Sequence, residues 1–374
     1  TGGTALVSKL LGEGKKDEAH RTFSMMVLFT LLLGLALSAV GVLTMPAVAR
    51  LLHATDAMMP DCVLYGRIVT GFTFAFMLQN VFQSFFIAAE KPRLGLFVTV
   101  AAGVTNMMLD ALFMAVFKWG VAGAAIATGL SQCVGGVLPL IYFLRPNSSL
   151  LRLRPTALRL RPILQACGNG SSELMCNISS SLVGMLYNFQ LLRLIGEDGV
   201  SAYGVLMYVQ FIFVAIFIGY SIGCAPVVSF HYGAGNQNEL KSLLRKSVLL
   251  MGLGGVALTA AAMLLASPLA KLFVGYDAGL YALTTHAFRL FSWSFLLAGF
   301  NIFASGFFTA LNNGAVSAII SFLRTLVFQA GSVIILPLLL DVDGIWCAIT
   351  SAEIFAFIIS CTFLLAKRNK YHYM

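Results

Sequence analysis

The chain has 374 residues, of which 59% are hydrophobic and only 10% charged. Soluble domains carry about 25% charged residues, so a single water-soluble globule is excluded and lipid is the natural solvent for these side chains. The net charge of +9 does not point to nucleic acid, because the basic residues lie in loops between apolar stretches, where cytoplasmic Lys and Arg collect in membrane proteins.

Residues 1–11 read as the tail of a membrane span. Ten further stretches of about 20 or more mostly apolar residues follow. They lie at 23–49, 60–89, 94–117, 119–144, 163–192, 200–230, 247–270, 283–311, 315–340 and 344–366. Backbone groups in lipid must be paired internally, which leaves helices or closed barrels. These runs are too long and too uniformly apolar for barrel strands of about 10 alternating residues. The one long polar connection is 145–161, RPNSSLLRLRPTALRLR, whose prolines and arginines mark a linker between two halves. Its interleaved Leu and Arg predict a short amphipathic helix on the membrane surface. The expected division is therefore an N-terminal lobe at 1–144, a cytoplasmic linker at 145–161 and a C-terminal lobe at 162–374. The sequons at Asn147 and Asn177 read as chance matches, one on the cytoplasmic side and one within a span.

Orientation follows from Lys and Arg. Lys15, Lys16, Arg21, Lys91, Arg93, the five arginines of 145–161, Lys241, Arg245, Lys246, Lys367, Arg368 and Lys370 fall on one side. The other side is acidic, with Asp56, Asp61, Glu197, Asp198, Asp277, Asp341 and Asp343. The basic side, including the C-terminus, is expected to be cytoplasmic. The chain starts at Thr1 and shows no signal-peptide pattern. The seven cysteines form no C-x-x-C pair and lie mostly in apolar stretches, so neither a metal site nor a disulfide framework is expected.

The two halves resemble each other at an offset of about 221 residues. GTALVSKLLGEG (3–14) lies over CAPVVSFHYGAG (224–235), Asp56 over Asp277, Asn80 over Asn301 and Ser84 over Ser305. After a small slip, WGVAGAAIAT (119–128) lies over DGIWCAITSA (343–352). Each full repeat would hold six helices, and an even number gives both halves the same orientation about an axis along the membrane normal. The second half has two spans before its G-x-G turn and the first only the stub at 1–11. Roughly two helices are therefore expected to be missing upstream, leaving ten complete ones here.

Charges deep in spans are rare and usually functional. Asp110 lies mid-span in VTNMMLDALFMAVF, with Asn106 one turn earlier on the same face. A carboxylate with an amide oxygen can hold a proton or a sodium ion; a buried Asp bonded to a neighbouring helix is the other reading. Glu173 sits in a Gly-, Ser- and Asn-rich part of its span, while Glu353 reads as structural. Arg67, Arg289 and Arg324 read as snorkelling or paired. Asn188, Gln190, Tyr208 and Gln210 are candidates to line a cavity, or equally to bond neighbouring helices. The G-x-G pieces lack the strand and Lys-Ser/Thr of a phosphate loop. With no reactive constellation in view, an enzyme is not expected.

The run QNVFQSFFIAAEKPRLGLFVTVAAGVTNMMLDALFMAVFKWGVAGAAIATGLSQ (79–132) resembles the multidrug and toxic compound extrusion (MATE) family. The matching features are the N-x-x-x-D of Asn106 to Asp110 and the G-x-x-G-A-A-x-A-T of Gly120 to Thr128. GEDGVSAYGVLMYVQ (196–210), GCAPVVSFHYGAGNQNELK (223–241) and Ser-Ser-Glu at 171–173 resemble its MepA-like branch. The resemblance implies an all-α membrane protein of two six-helix bundles around a central cavity. It implies export of cationic amphipathic drugs against inward H+ or Na+, with no cofactor beyond that coupling ion. It places the cation site on Asn106, Asp110 and Thr128; the family's first-helix Asp has no counterpart here. Glu173 stands in the helix that carries a second acid in other branches, but earlier along it. The expected setting is a multi-pass monomer in the cell (inner) membrane, with drug-like small molecules and the bilayer as its partners. A lipid-linked oligosaccharide flippase of the same superfamily is the alternative.

Overall fold

The computed structural model describes residues 1–51, 55–56 and 58–373. It is all-α, with no strand among the described residues. The first helices in chain order are α1 (Gly2–Gly12), α2 (Lys16–Leu51), α3 (Met59–Gly71), α4 (Thr73–Ala88) and α5 (Pro92–Asp110). A π-helical turn, Ala111–Val116, continues α5 and is followed by α6 (Gly120–Leu144), α7 (Leu160–Asn169), α8 (Ser171–Leu194) and α9 (Glu197–Gly233). Then come α10 (Gln237–Val274), α11 (Ala278–Ser292), α12 (Phe295–Ala310) and α13 (Gly314–Phe322). A second π-helical segment, Leu323–Phe328, leads into α14 (Gln329–Ile335) and α15 (Pro337–Tyr371).

Among the described residues, seven helices are long and apolar enough to cross a membrane, or up to nine if each of two bent pairs is one span. The surface is itself apolar: Leu43, Phe211, Leu264 and Leu338 are each more than three-quarters exposed. Water would penalise such a surface, whereas lipid does not. The stretch expected as a span at 163–192 is helical but divided at Gly170 into α7 and α8. Its Ser and Asn content keeps it out of the apolar set.

The element order repeats, and it does so at the sequence offset. The bent pair α3–α4 breaks by 44° at Phe72, and α11–α12 breaks by 48° at Trp293–Ser294. A helix carrying a π segment follows each pair. Backbone positions with φ > 0 recur in the same way. Gly14 (77°) matches Gly235 (68°), Glu90 (57°) matches Asn312 (57°), and Lys118 (55°) matches Asp341 (48°). Such angles are uncommon in non-glycine residues, so their recurrence reflects one architecture built twice. Side-chain caps fix several helix starts. Asn236, Asp277 and Asn313 each accept a hydrogen bond from the backbone N–H three residues on.

By contact the chain forms two compact units. The first holds Gly14–Gln165, with Thr1 and Gly3; the second holds Ala166–Met374, with Gly2 and Thr4–Glu13. Helix α1 thus packs with the second unit. Its Gly2 closes on the Ala166 carbonyl and its Gly12 on the Phe230 carbonyl, approaches that a Cβ would block. The first unit is cored by Phe23, Phe82, Phe85, Phe86 and Phe143, with ring centroids 4.8–5.7 Å apart. The second has one buried cluster around Tyr187, Phe288 and Trp346 and another around Phe217, Phe303, Phe307 and Tyr373.

The linker corrects one expectation. Residues 145–159 are not helical; helix resumes at Leu160. Alternation of Leu and Arg has the period of two that belongs to extended backbone, and Pro155 disfavours helix in the residue before it. Leu151 is fully buried while Arg152 and Arg154 point outward. The segment is held on the start of α2: Arg152 N–H donates to His20 Nδ1 (3.1 Å), Arg154 N–H to Ser24 Oγ (2.8 Å), and the Arg154 guanidinium pairs with Asp17 (2.7 Å).

Candidate functional site

In the first unit the last turn of α5 carries Asn106 and Asp110, one turn apart and both half-buried. Directly after Asp110 the helix widens into the π turn, where Phe117 N–H bonds to Leu112 O (2.9 Å). Single π turns are rare and concentrate at functional positions. Phe113, Phe117 and Trp119 then stack on one another with centroids 5.0–6.0 Å apart, and Trp119 N–H donates to Phe113 O (2.9 Å). This tight aromatic corner turns the chain into α6. Gly123 sits against Phe113, where a Cβ would stand 3.0 Å from the phenylalanine Cβ.

From that contact Asp110 lies three residues back along α5 and Thr128 five residues on along α6. At 1.5 Å per residue the two differ in depth by about 3 Å. Asp110 and Thr128 are therefore on adjacent packed helices at nearly the same level. The Asp110 Oδ1 atom is buried with no hydrogen-bond partner among the described residues. A buried, unpaired carboxylate oxygen is costly unless something neutralises it. A proton or a small cation on the carboxylate would do so.

The second unit treats its buried acid differently. Glu353 of α15 has a side chain 6% exposed and faces Arg324 of the second π segment, 15% exposed. Arg324 Nη2 and Nε both donate to Oε1 (2.7 and 2.9 Å), and Nε also reaches Oε2 (3.1 Å). Asn301 of α12, itself fully buried, donates from Nδ2 to Oε2 (2.7 Å) and to the Glu353 carbonyl (2.9 Å). The charge is compensated inside the protein. In the repeat, Glu353 lies over Gly129 and Asn301 over Asn80, whose amide only bonds its own helix at Phe76 O (2.9 Å). The first unit thus has no equivalent pair at these positions.

A hydroxyl network extends from this region through α8, α12 and α13. Ser305 joins Ser321 (2.8 Å) and Ser317 (2.9 Å), Ser317 joins Thr309 (2.7 Å), and Thr309 approaches Ser172 (3.4 Å). Small hydroxyl residues let helices approach closely and bond across the interface. Among the cavity candidates, Gln190 donates to Val333 O (3.4 Å), bonding α8 to α14. Gln210 is half-buried, while Glu173, Asn188 and Tyr208 are exposed.

Comparison with known proteins decides the family. The MatE family model matches residues 1–112 and 161–333. The chain belongs to the multidrug and toxic compound extrusion (MATE) family. Among its relatives is a multidrug export protein MepA of Staphylococcus saprophyticus, 22% identical over 352 residues, covering 92% of this chain and 74% of that protein. A MepA of Staphylococcus aureus is 22% identical over 354 residues with the same coverage. A crystal structure of a MATE protein in complex with MaL6 superposes with a TM-score of 0.94 at 19% identity, covering all of this chain and 84% of that one. An outward-facing multidrug resistance MATE family transporter gives 0.93 at 20% identity, with the same coverage. The chain is accordingly a multi-pass membrane protein of a family of transporters rather than enzymes.

Sequence reasoning paired Asn106 with Asp110 from their spacing. It did not find the Arg324–Glu353–Asn301 cluster, whose members lie on three helices up to 52 residues apart. The available signal was weak: three polar residues in three different apolar stretches.

Proposed function

We propose that this chain is a secondary active multidrug efflux transporter, exporting cationic amphipathic compounds in exchange for H+ or Na+ by alternating access. The observation that carries the reading is the contrast between two acids within apolar helices, one buried and one half-buried. Glu353 is neutralised by Arg324 and Asn301, whereas the buried Oδ1 of Asp110 has no partner among the described residues. A transported ion needs the second kind of acid, because only an uncompensated carboxylate changes state when a cation arrives. Thr128 at nearly the level of Asp110, and Asn106 one turn before it, would supply further oxygens. The Staphylococcus relatives are multidrug export proteins, which supports this reading. We place the basic loops and the C-terminus on the cytoplasmic side of the cell membrane. Glu173, Asn188, Tyr208 and Gln210 serve as candidate substrate contacts.

The test is transport by the full-length protein in liposomes, with sodium and proton gradients imposed separately. Export of a cationic dye should follow one gradient, and Asp110→Asn should abolish that dependence while expression and membrane insertion persist. Undiminished gradient-driven export by Asp110→Asn removes the assignment.

A further inference from the structure

One end of the second unit carries positive charge that is unpaired among the described residues. Lys241, Arg245 and Lys246, in the first turns of α10, are exposed. None of them enters an ion pair or hydrogen bond among the described residues. The one acid nearby in sequence, Glu239, pairs with none of them; its backbone N–H is taken by the Asn236 cap. The three cations, with Ser242 and Leu249, line an open cleft of about 420 Å³.

The cleft has two chemical ends. Lys241, Arg245 and Leu249 are spaced by four residues and so share a helix face. The face then continues as Leu253 and Val256, which are 61% and 57% exposed, like Leu249 at 61%. A ligand that satisfies both ends is anionic at one and aliphatic at the other. The same end of the unit gathers more charge. Leu240 and Leu244 share a buried cluster with Tyr371 and Tyr373, and the Tyr232 and Tyr371 rings meet at 5.7 Å. The ring contact packs the end of α15, with Lys367, Arg368 and Lys370, against the end of α9, which immediately precedes α10 in the chain.

We propose that this cleft binds an anionic glycerophospholipid, its phosphodiester held by Lys241, Arg245 and Lys246 and the Ser242 hydroxyl, and an acyl chain lying along Leu249, Leu253 and Val256. Basic clusters at the membrane boundary attract anionic lipid through charge. The cleft and the aliphatic stripe below it add a fixed place for the lipid to sit. Inorganic phosphate or soluble glycerol phosphate would meet the cations but leave the stripe unused. This site is separate from Asp110 and does not depend on what the protein transports.

The experiment uses the full-length protein in nanodiscs of phosphatidylcholine mixed with phosphatidylglycerol, with native mass spectrometry reading the lipid retained. Wild type should retain phosphatidylglycerol selectively, less so as salt is raised. The triple variant K241Q/R245Q/K246Q should bind it about a hundredfold more weakly, from three charges near the surface. The charge-keeping K241R/R245K/K246R should retain it, as should Lys271→Gln at the far end of α10. All substituted side chains are exposed, and thermal unfolding of each variant checks that the fold persists. Equal retention by wild type and the triple glutamine variant would overturn the proposal. So would full competition by soluble glycerol phosphate at matched concentration.

Discussion

The buried pair in the second unit makes a quantitative prediction. Glu353→Gln keeps the shape of the side chain but removes the anion facing Arg324. The guanidinium then loses its counter-charge at a site only 15% exposed, and Glu353 itself is 6% exposed, so solvent screens little of the loss. Breaking a buried pair from one side costs roughly 3–5 kcal/mol. For a unit of this size, about 2–4 °C of midpoint per kcal/mol gives a fall of about 6–20 °C. Arg324→Gln should cost a similar amount. Replacing both partners by apolar residues, as in R324M/E353L, should restore stability to within ~2 kcal/mol of wild type, because no charge is then stranded. The assay is thermal unfolding of the purified protein in detergent, run as a double-mutant cycle. Two single variants near wild-type stability, or a double variant that sums the two losses, would refute the reasoning.

Asn301→Ala should cost less than either charge variant, roughly 1.5–3 kcal/mol, the range for a hydrogen bond to a charged group; the same melting assay reads it. Gly129→Ala should destabilise the first unit by about 1–3 kcal/mol through overpacking, since its Cβ would run into the Phe72 ring at the α3–α4 break; Phe72→Leu in that background should recover part of the loss. The linker should respond to pH through His20. Burial, and then Arg154, hold its imidazole below the ordinary value of 6.5, against a smaller opposing effect of Asp17. The folded state therefore prefers neutral His20, whose Nδ1 accepts the Arg152 N–H. Its contribution is complete above about pH 6.5 and declines as pH falls below that. A spin label at Thr156 should gain mobility on acidification in wild type but not in His20→Gln; equal mobility at both pH values would exclude the latch.

Lipid as solvent, helix as the only solution for long apolar runs, and a doubled architecture were all legible in the sequence. They depend on composition and on spacing along the chain, which one-dimensional reading sees directly. Asn106 and Asp110 were legible for the same reason, because four residues make one helical turn. Residues 145–159 are not helical despite their amphipathic composition, because their period of two and their prolines favour extended backbone. The bends at Phe72 and at Trp293–Ser294 were not legible, since each pair of helices is together apolar enough to read as one span.

What only the tertiary structure decided is which acid within an apolar helix has a partner. Asp110 and Glu353 look alike in sequence, single acids within long apolar stretches. Arg324, 29 residues before Glu353, and Asn301, 52 residues before it, become its neighbours only when α12, the π segment and α15 pack together. The Oδ1 atom of Asp110 meets no such group among the described residues. The sequence by itself determined the solvent, the helices and their repetition, because these follow from local chemistry. The state of each acid depends on charges brought within about 3 Å by packing, and distance along the chain does not encode that.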